Sequence, residues 1–116
     1  MTRQVDFVGS SGTVYRYSVL DETRPLTPGG ANYLVVEVND GGTVVLFAGE
    51  TDSLSRGDWR IWLDQARRDH PEAEVMMRLN VLSAVRRAEL EDLVEGLGLS
   101  RAAPGQDGPD PSGGAA

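Results

Sequence analysis

Few side chains in this sequence can do chemistry by themselves. The chain has no cysteine and one histidine, His70, so disulfides, thiolate metal sites and sites built from several histidines are excluded. Its 11 basic residues are all arginines, and 18 acidic residues outnumber them, for a formal net charge of −7. Such a surface repels a phosphate backbone at long range. Tyrosine hydroxyls, guanidinium groups and carboxylates remain, together with Trp59 and Trp62, whose rings could stack on bases.

The spacing of the two tryptophans favours a structural role. Trp59, Trp62, Leu63 and Ala66 recur at steps of three, one and three, which places them on one face of a helix. We therefore expect both rings to pack into a core. The helix should end at His70, because the residue before a proline is pushed out of the helical region.

The elements that must position any site are organised around residues 31–52. Residues 33–38 and 43–47 are rich in β-branched and aromatic residues, and the turn Asn39-Asp40-Gly41-Gly42 between them is typical of a tight β-hairpin. Both strands are apolar at nearly every position, which predicts that each is covered on both faces. Glu37 is the polar exception and should point outward near the turn.

The flanking segments complete the pattern. Residues 4–8 and 13–19 alternate polar and apolar side chains around a turn, which predicts a second hairpin with one solvated face. Residues 21–30 hold two prolines and two glycines, typical of a connecting loop. Residues 74–79 read as a short strand.

Two helices should pack on these strands. The first starts at Asp52 or Ser53, or at Asp58 if Gly57 interrupts it. The second starts at Asn80 or Ser83 and ends near Gly96 and Gly98. Its apolar stripe consists of Val85, Ala88, Leu90, Leu93, Val94 and Leu97.

These elements predict one α+β domain over residues 1–100. It has a small, mainly antiparallel sheet, two packed helices and an extra N-terminal hairpin. Residues 101–116, dominated by Ala, Gly, Pro and Asp, should form a disordered tail. No stretch approaches the ~20 apolar residues of a membrane span, so we expect no membrane association and a cytoplasmic protein.

Two short motifs on the central hairpin carry a family resemblance. Ala31-Asn32-Tyr33 and Phe47-Ala48-Gly49 resemble the two signatures of the GIY-YIG domain, in its small bacterial subgroup. The resemblance covers roughly residues 5–97. It implies a fold with a divalent-metal endonuclease site, in which tyrosines and an arginine act on the phosphodiester and a glutamate on a later helix holds Mg²⁺ or Mn²⁺.

Residue by residue, the resemblance implies an incomplete site. Tyr33 matches the first signature tyrosine, although a half-buried strand tyrosine fits equally well. Phe47 stands where the second tyrosine hydroxyl is expected. The catalytic arginine falls on Gly57, with Arg56 beside it, and the assisting His or Tyr falls near Ile61.

The metal ligand has two candidates, Glu89 and Glu91, on the last helix. Both are also explained as solvated carboxylates that pair with Arg86 or Arg87 at helical spacing.

Two functional hypotheses follow. The first is a degenerate GIY-YIG-like domain that acts as a non-catalytic binding or interaction module, needs no cofactor, and engages a protein rather than nucleic acid. The alternative is a metal-dependent endonuclease with a shifted site, which requires Tyr33, Arg56 and Glu89 or Glu91 to converge on one cleft. The oligomeric state is open.

Overall fold

Two hairpins and a later strand form one five-stranded antiparallel sheet. The structure is a computed structural model, and it describes residues 3–98. Strands β1 (Gln4–Val8) and β2 (Val14–Val19) form the first hairpin, and β3 (Ala31–Asn39) and β4 (Gly42–Thr51) form the second. Strand β5 (Glu74–Leu79) pairs with both β2 and β3, so the order across the sheet is β1-β2-β5-β3-β4.

Two helices cover the opposite faces of this sheet. Helix α1 (Arg60–Asp69) packs on the face that carries Tyr33 and Val35, and helix α2 (Ser83–Leu97) packs on the face that carries Leu34 and Val36. Because successive strand residues point to opposite faces, β3 contributes to both cores. The predicted α+β class, the antiparallel sheet, the two helices and the N-terminal hairpin are confirmed. The predicted tail lies outside the described residues.

The start of the first helix differs from the prediction. Residues Leu54–Arg56 form a separate 3₁₀ turn that ends at Gly57, whose φ of 79° lies in the left-handed region that favours glycine. Helix α1 therefore begins only at Arg60, two residues after the later of the predicted starts. Its predicted core face is confirmed, since Trp59, Trp62, Leu63 and Ala66 are buried.

The prediction that both central strands are covered on both faces is correct for β3 and wrong for β4. Residues 31–36 of β3 are all buried, whereas β4 lies at the edge of the sheet and leaves Val44 exposed. A bulge between Val35 and Val36 interrupts the pairing of the two strands. Such an irregularity makes the edge a poorer template for another strand.

The apolar stripe of α2 is only partly buried. Leu90 and Leu93 are buried, Val94 and Leu97 are half-buried, but Val85 and Ala88 face solvent. Arg86, predicted to lie outside the stripe, is 4% exposed. The helix ends at Gly98, as predicted, with a φ of 68°.

Within residues 3–98, no helix is both long enough and apolar enough to cross a membrane.

Candidate functional site

Tyr33 is part of the core under α1. The side chain is buried among Trp59, Trp62 and other apolar residues. It lies directly over Gly49, its neighbour on β4, where an added Cβ would approach the phenol oxygen to 2.5 Å. Burial, followed by the nearby charges of Asp58 and Glu50, raises the pKa of the Tyr33 phenol. A glycine at position 49 is therefore required by packing, and Tyr33 is a neutral group at physiological pH.

Arg56 is held by two carboxylates. It lies at the end of the 3₁₀ turn and donates Nε and Nη2 to the two carboxylate oxygens of Asp58, each at 2.8 Å. The same Nη2 also donates to Asp52. Asp58 accepts a further bond from Thr51, and the Arg56 guanidinium is the main reason that the pKa of Asp58 is lowered. The charge of Arg56 is thus balanced within the chain.

Three further positions named by the resemblance carry no side chain suited to the chemistry. The ring of Phe47 packs against Trp62 with ring centroids 5.5 Å apart, which is an ordinary aromatic contact. Ile61 is exposed on α1. Gly57 ends the 3₁₀ turn and offers only backbone groups.

Glu89 faces the sheet from α2. It accepts a 2.9 Å bond from Arg78 Nε on β5 and a 3.1 Å bond from Asn80 Nδ2. The hydrogen bond that Arg78 donates to the Glu89 carboxylate raises the pKa of Arg78. The prediction that Glu89 pairs with Arg86 or Arg87 along the helix is wrong, because its partner comes from the neighbouring strand. Glu91 lies on the exposed side of α2.

A buried polar cluster on this face was not predicted. Asn32 is fully buried, and it donates Nδ2 to the backbone oxygen of Arg86 at 2.9 Å and accepts a bond from Asn80. Arg86 donates to the backbone oxygens of Asn80 and Val81, and to Glu50 Oε1 at 3.3 Å. We call the following residues the polar cluster: Asn32, Glu50, Arg78, Asn80, Arg86 and Glu89.

The sequence contains a signal for Arg86. Positions 86, 90, 93 and 97 follow the spacing of one helical face, so Arg86 continues the buried row of Leu90 and Leu93. Asn32 likewise interrupts a run of apolar strand residues. In both cases the residue type suggested the surface while the periodicity indicated burial.

The polar cluster is almost entirely satisfied by its own members. Within residues 3–98, Glu50 Oε2 is the one buried side-chain polar atom with no hydrogen bond, and it lies 3.8 Å from Arg87 Nε. No group of three or more potential metal-ligating side chains is found in the described part of the chain. The cluster pairs each carboxylate with an arginine, so its visible effect is to fasten α2 to the sheet.

The groups named by the resemblance do not meet in one place. Tyr33 and Asn32 are consecutive on β3 and point to opposite faces. Tyr33 therefore lies in the core between the sheet and α1. Glu89 is a residue of α2 that shares its hydrogen-bonding partner Asn80 with Asn32, so its side chain lies between α2 and the opposite face of the sheet. The sheet separates the two side chains.

The exposed surface next to the polar cluster is apolar. Leu79 at the end of β5, Val81 and Leu82 in the connection, and Val85 in the first turn of α2 are all exposed. We call these four residues the junction patch.

Comparison of the chain with protein families, with curated proteins and with solved structures finds no match.

Proposed function

We propose that this chain is a non-catalytic binding module on a GIY-YIG-like scaffold, and that it engages protein rather than nucleic acid. The observation that carries the proposal is the separation of Tyr33 from Glu89 by the sheet, with each group already occupied by packing or by an ion pair. A module of this kind binds its partner through its surface, and the residues that match the family's site, such as Tyr33 and Glu89, stabilise the fold.

The requirements of phosphodiester cleavage support this proposal. A metal-dependent nuclease needs a base, a cation and a metal-bound carboxylate within reach of one phosphate. Arg56 would have to leave Asp52 and Asp58 to offer its charge, and Glu89 would have to leave Arg78 and Asn80 to bind a cation. A Mg²⁺ or Mn²⁺ ion therefore does not fit the residues present.

The choice of a protein partner rests on charge and on exposed apolar area. A net charge of −7 opposes the approach of a phosphate backbone. The junction patch exposes four large apolar side chains within seven residues of the chain, and exposed apolar surface concentrated in one place is typical of protein interaction sites.

A cleavage assay tests the proposal. The full chain is incubated with supercoiled plasmid and with single-stranded oligonucleotides in Mg²⁺ or Mn²⁺, and binding of the same oligonucleotides is measured at low salt. We expect neither nicking nor binding above that of a buffer blank. The variant Glu89→Gln removes the best-placed candidate ligand, and Glu95→Gln, an exposed glutamate of the same helix, is the matched control.

Nicking that disappears in Glu89→Gln but persists in Glu95→Gln would overturn the proposal. That result would favour the alternative, a metal-dependent endonuclease that uses Tyr33, Arg56 and Glu89 or Glu91 after a rearrangement across the sheet.

A further inference from the structure

The junction patch contains the three most exposed large apolar side chains within residues 3–98, Val81, Leu82 and Leu79. The exposed fractions are 56% for Leu79, 77% for Val81, 67% for Leu82 and 41% for Val85. Leu82 occupies the N-cap position of α2, and no side chain caps the first turn there. A cap residue such as Ser or Asp stabilises a helix start by roughly 1 kcal/mol, so leucine at this position does not serve the helix.

The charges of α2 also run against its own dipole. Arg86 and Arg87 lie in the first turns of the helix, and from position 89 to its end the helix carries four acidic residues and no basic residue: Glu89, Glu91, Asp92 and Glu95. Neither an acidic residue in the first turn nor a basic residue in the last turn compensates the dipole. A helix macrodipole favours the reverse arrangement, so this pattern costs the isolated helix stability.

The exposed side of α2 shows the same division. Ala84, Arg87 and Ala88 face solvent in the first half, and Glu91 and Glu95 face solvent one and two turns after Arg87. Arg87 is 65% exposed, although its Nε lies 3.8 Å from Glu50. This exposed face of α2 therefore carries small apolar side chains and a basic side chain at one end, and acidic side chains at the other.

A helix face with opposite charges at its two ends is complementary to the same face of a second, antiparallel copy of the helix. We propose that this surface binds a second copy of the same chain, with the two α2 helices antiparallel around a two-fold axis near the middle of the helix. In that arrangement Arg87 of each protomer approaches Glu91 and Glu95 of its partner, and the small side chains of Ala84 and Ala88 allow the helices to come close.

The antiparallel arrangement accounts for the other two features as well. The junction patch of one protomer lies at the C-terminal end of the partner's α2, so part of its apolar area is removed from water. The antiparallel dipoles attract, and each basic N-terminal half lies against an acidic C-terminal half. Repulsion between two chains of −7 is screened over about 8 Å at physiological salt, while the contact pairs act at shorter range.

This inference rests on the proposed function and deepens it, since it names the protein that the module engages. The two can fail separately. If the chain is monomeric and does not cleave nucleic acid, the proposed self-association is wrong and the proposed binding module stands. If the chain is a dimer that cleaves nucleic acid, the self-association stands and the non-catalytic function is wrong.

Sedimentation equilibrium of the full chain measures the association. We expect a monomer–dimer equilibrium with a Kd of about 10 µM. Leu82→Asp should weaken it by about tenfold or more, because a charge enters the apolar contact. Asp is a favoured N-cap residue, so this variant should keep or raise the Tm and exclude unfolding as the cause. Ile61→Asp, at an exposed apolar position of α1, is the matched control and should leave the association unchanged.

A charge exchange tests the direction of the helices. Arg87→Glu and Glu95→Arg should each be monomeric, because like charges then face each other across the two-fold axis. An equimolar mixture of the two variants restores both opposite-charge pairs between positions 87 and 95, but it leaves Glu91 of one variant facing the new glutamate at position 87 of the other. We therefore expect the mixture to form a dimer that is weaker than the wild type and stronger than either variant alone. A wild-type monomer at about 100 µM, a dimer unaffected by Leu82→Asp, or a mixture that stays monomeric would overturn the proposal.

Discussion

Arg86 shows how far the environment of one residue can depart from its type. It is 4% exposed, and its guanidinium meets Glu50 and two backbone oxygens. Removing a charge from water is costly, and the cost is offset only where the partner and the remaining hydrogen bonds are in place. Removing one member of the Arg86–Glu50 pair should therefore lower the free energy of unfolding substantially.

A variant pair measures this interaction. Arg86→Met should lower the free energy of unfolding by about 3 kcal/mol, because it leaves the Glu50 carboxylate buried with only the more distant Arg87. The double variant Arg86→Met/Glu50→Leu should recover much of that loss, since no buried charge remains. Urea unfolding at neutral pH gives both values.

Arg68→Met is the control for the loss of positive charge alone. Arg68 is exposed on α1, and its removal should cost less than about 1 kcal/mol. If the double variant were no more stable than Arg86→Met, the burial of an unpaired carboxylate would not be the cause.

At the scale of elements, the N-terminal hairpin is fastened to the end of α2. Asp92 accepts bonds from the Ser11 backbone N–H at 2.8 Å, from the Ser11 hydroxyl at 2.7 Å and from the Tyr15 hydroxyl at 2.6 Å. The Ser10 N–H also donates to the Asp92 backbone oxygen. Next to these bonds, the backbone of the hairpin turn packs directly against the backbone of Gly96.

Gly96→Ala tests this close approach. An alanine is normally better than glycine in a helix by about 1 kcal/mol. Here, however, the added Cβ would lie 2.6 Å from Ser10 N and 2.7 Å from Gly9 C, which are backbone atoms that cannot move independently. We expect a lower Tm, together with faster amide exchange in β1 and β2.

The change Asp64→Ala on α1 controls for helix propensity, because residue 64 faces solvent and lies outside the proposed interface. It should leave Tm nearly unchanged or slightly raised. A Gly96→Ala variant with a raised Tm and unchanged exchange would mean that the hairpin does not depend on this contact.

The elements were predictable to the extent that they depend on neighbours in sequence. Both hairpins, strand β5 and the end of α1 follow from alternation, turn residues and Pro71. The exposure of β4 does not follow from these local signals. It depends on the insertion of β5 between β2 and β3, which leaves β4 at the edge of the sheet. The break at Gly57 was visible in the sequence, but only the fold decides whether a helix continues through it.

At the scale of the molecule, the same limit applies to the candidate site. The positions of Tyr33 and Glu89 along the chain were readable, and so was their place on a strand and on a helix. Which face of the sheet each helix covers is set by packing between distant segments. That packing puts Tyr33 on the face covered by α1 and the Glu89 side chain of α2 on the opposite face, and the periodicity of single elements does not predict this arrangement.

The acid stability of the whole molecule follows from aspartates with internal partners. The pKa values of four of them are lowered from the ordinary value of 3.8, by Arg16 at Asp6, by Thr23 at Asp21, by Arg56 at Asp58, and by Tyr15 and Ser11 at Asp92. A lowered pKa means that the unfolded chain takes up protons first, so the stability contributed is present above the unfolded value and is lost as the pH falls through the folded one. Lowering the pH also reduces the net charge of −7, but these exposed charges are screened by salt.

We therefore expect a nearly constant Tm between about pH 7 and 5 and a steep fall below about pH 4. Asp92→Asn retains a carbonyl acceptor for the Ser11 N–H but loses the charge and one acceptor, so its Tm should be lower than that of the wild type at pH 7. The difference should narrow as the pH falls below the ordinary aspartate value of 3.8, because the stability that comes with the lowered pKa of Asp92 is lost as the pH falls through the folded value. Thermal unfolding followed by circular dichroism at pH 7 and at about pH 3 measures both. Asp64→Asn, at an exposed position of α1, is the control that shows no difference at either pH. A gap between wild type and Asp92→Asn of equal size at both pH values would mean that the hydrogen bonds to Asp92 do not depend on its charge.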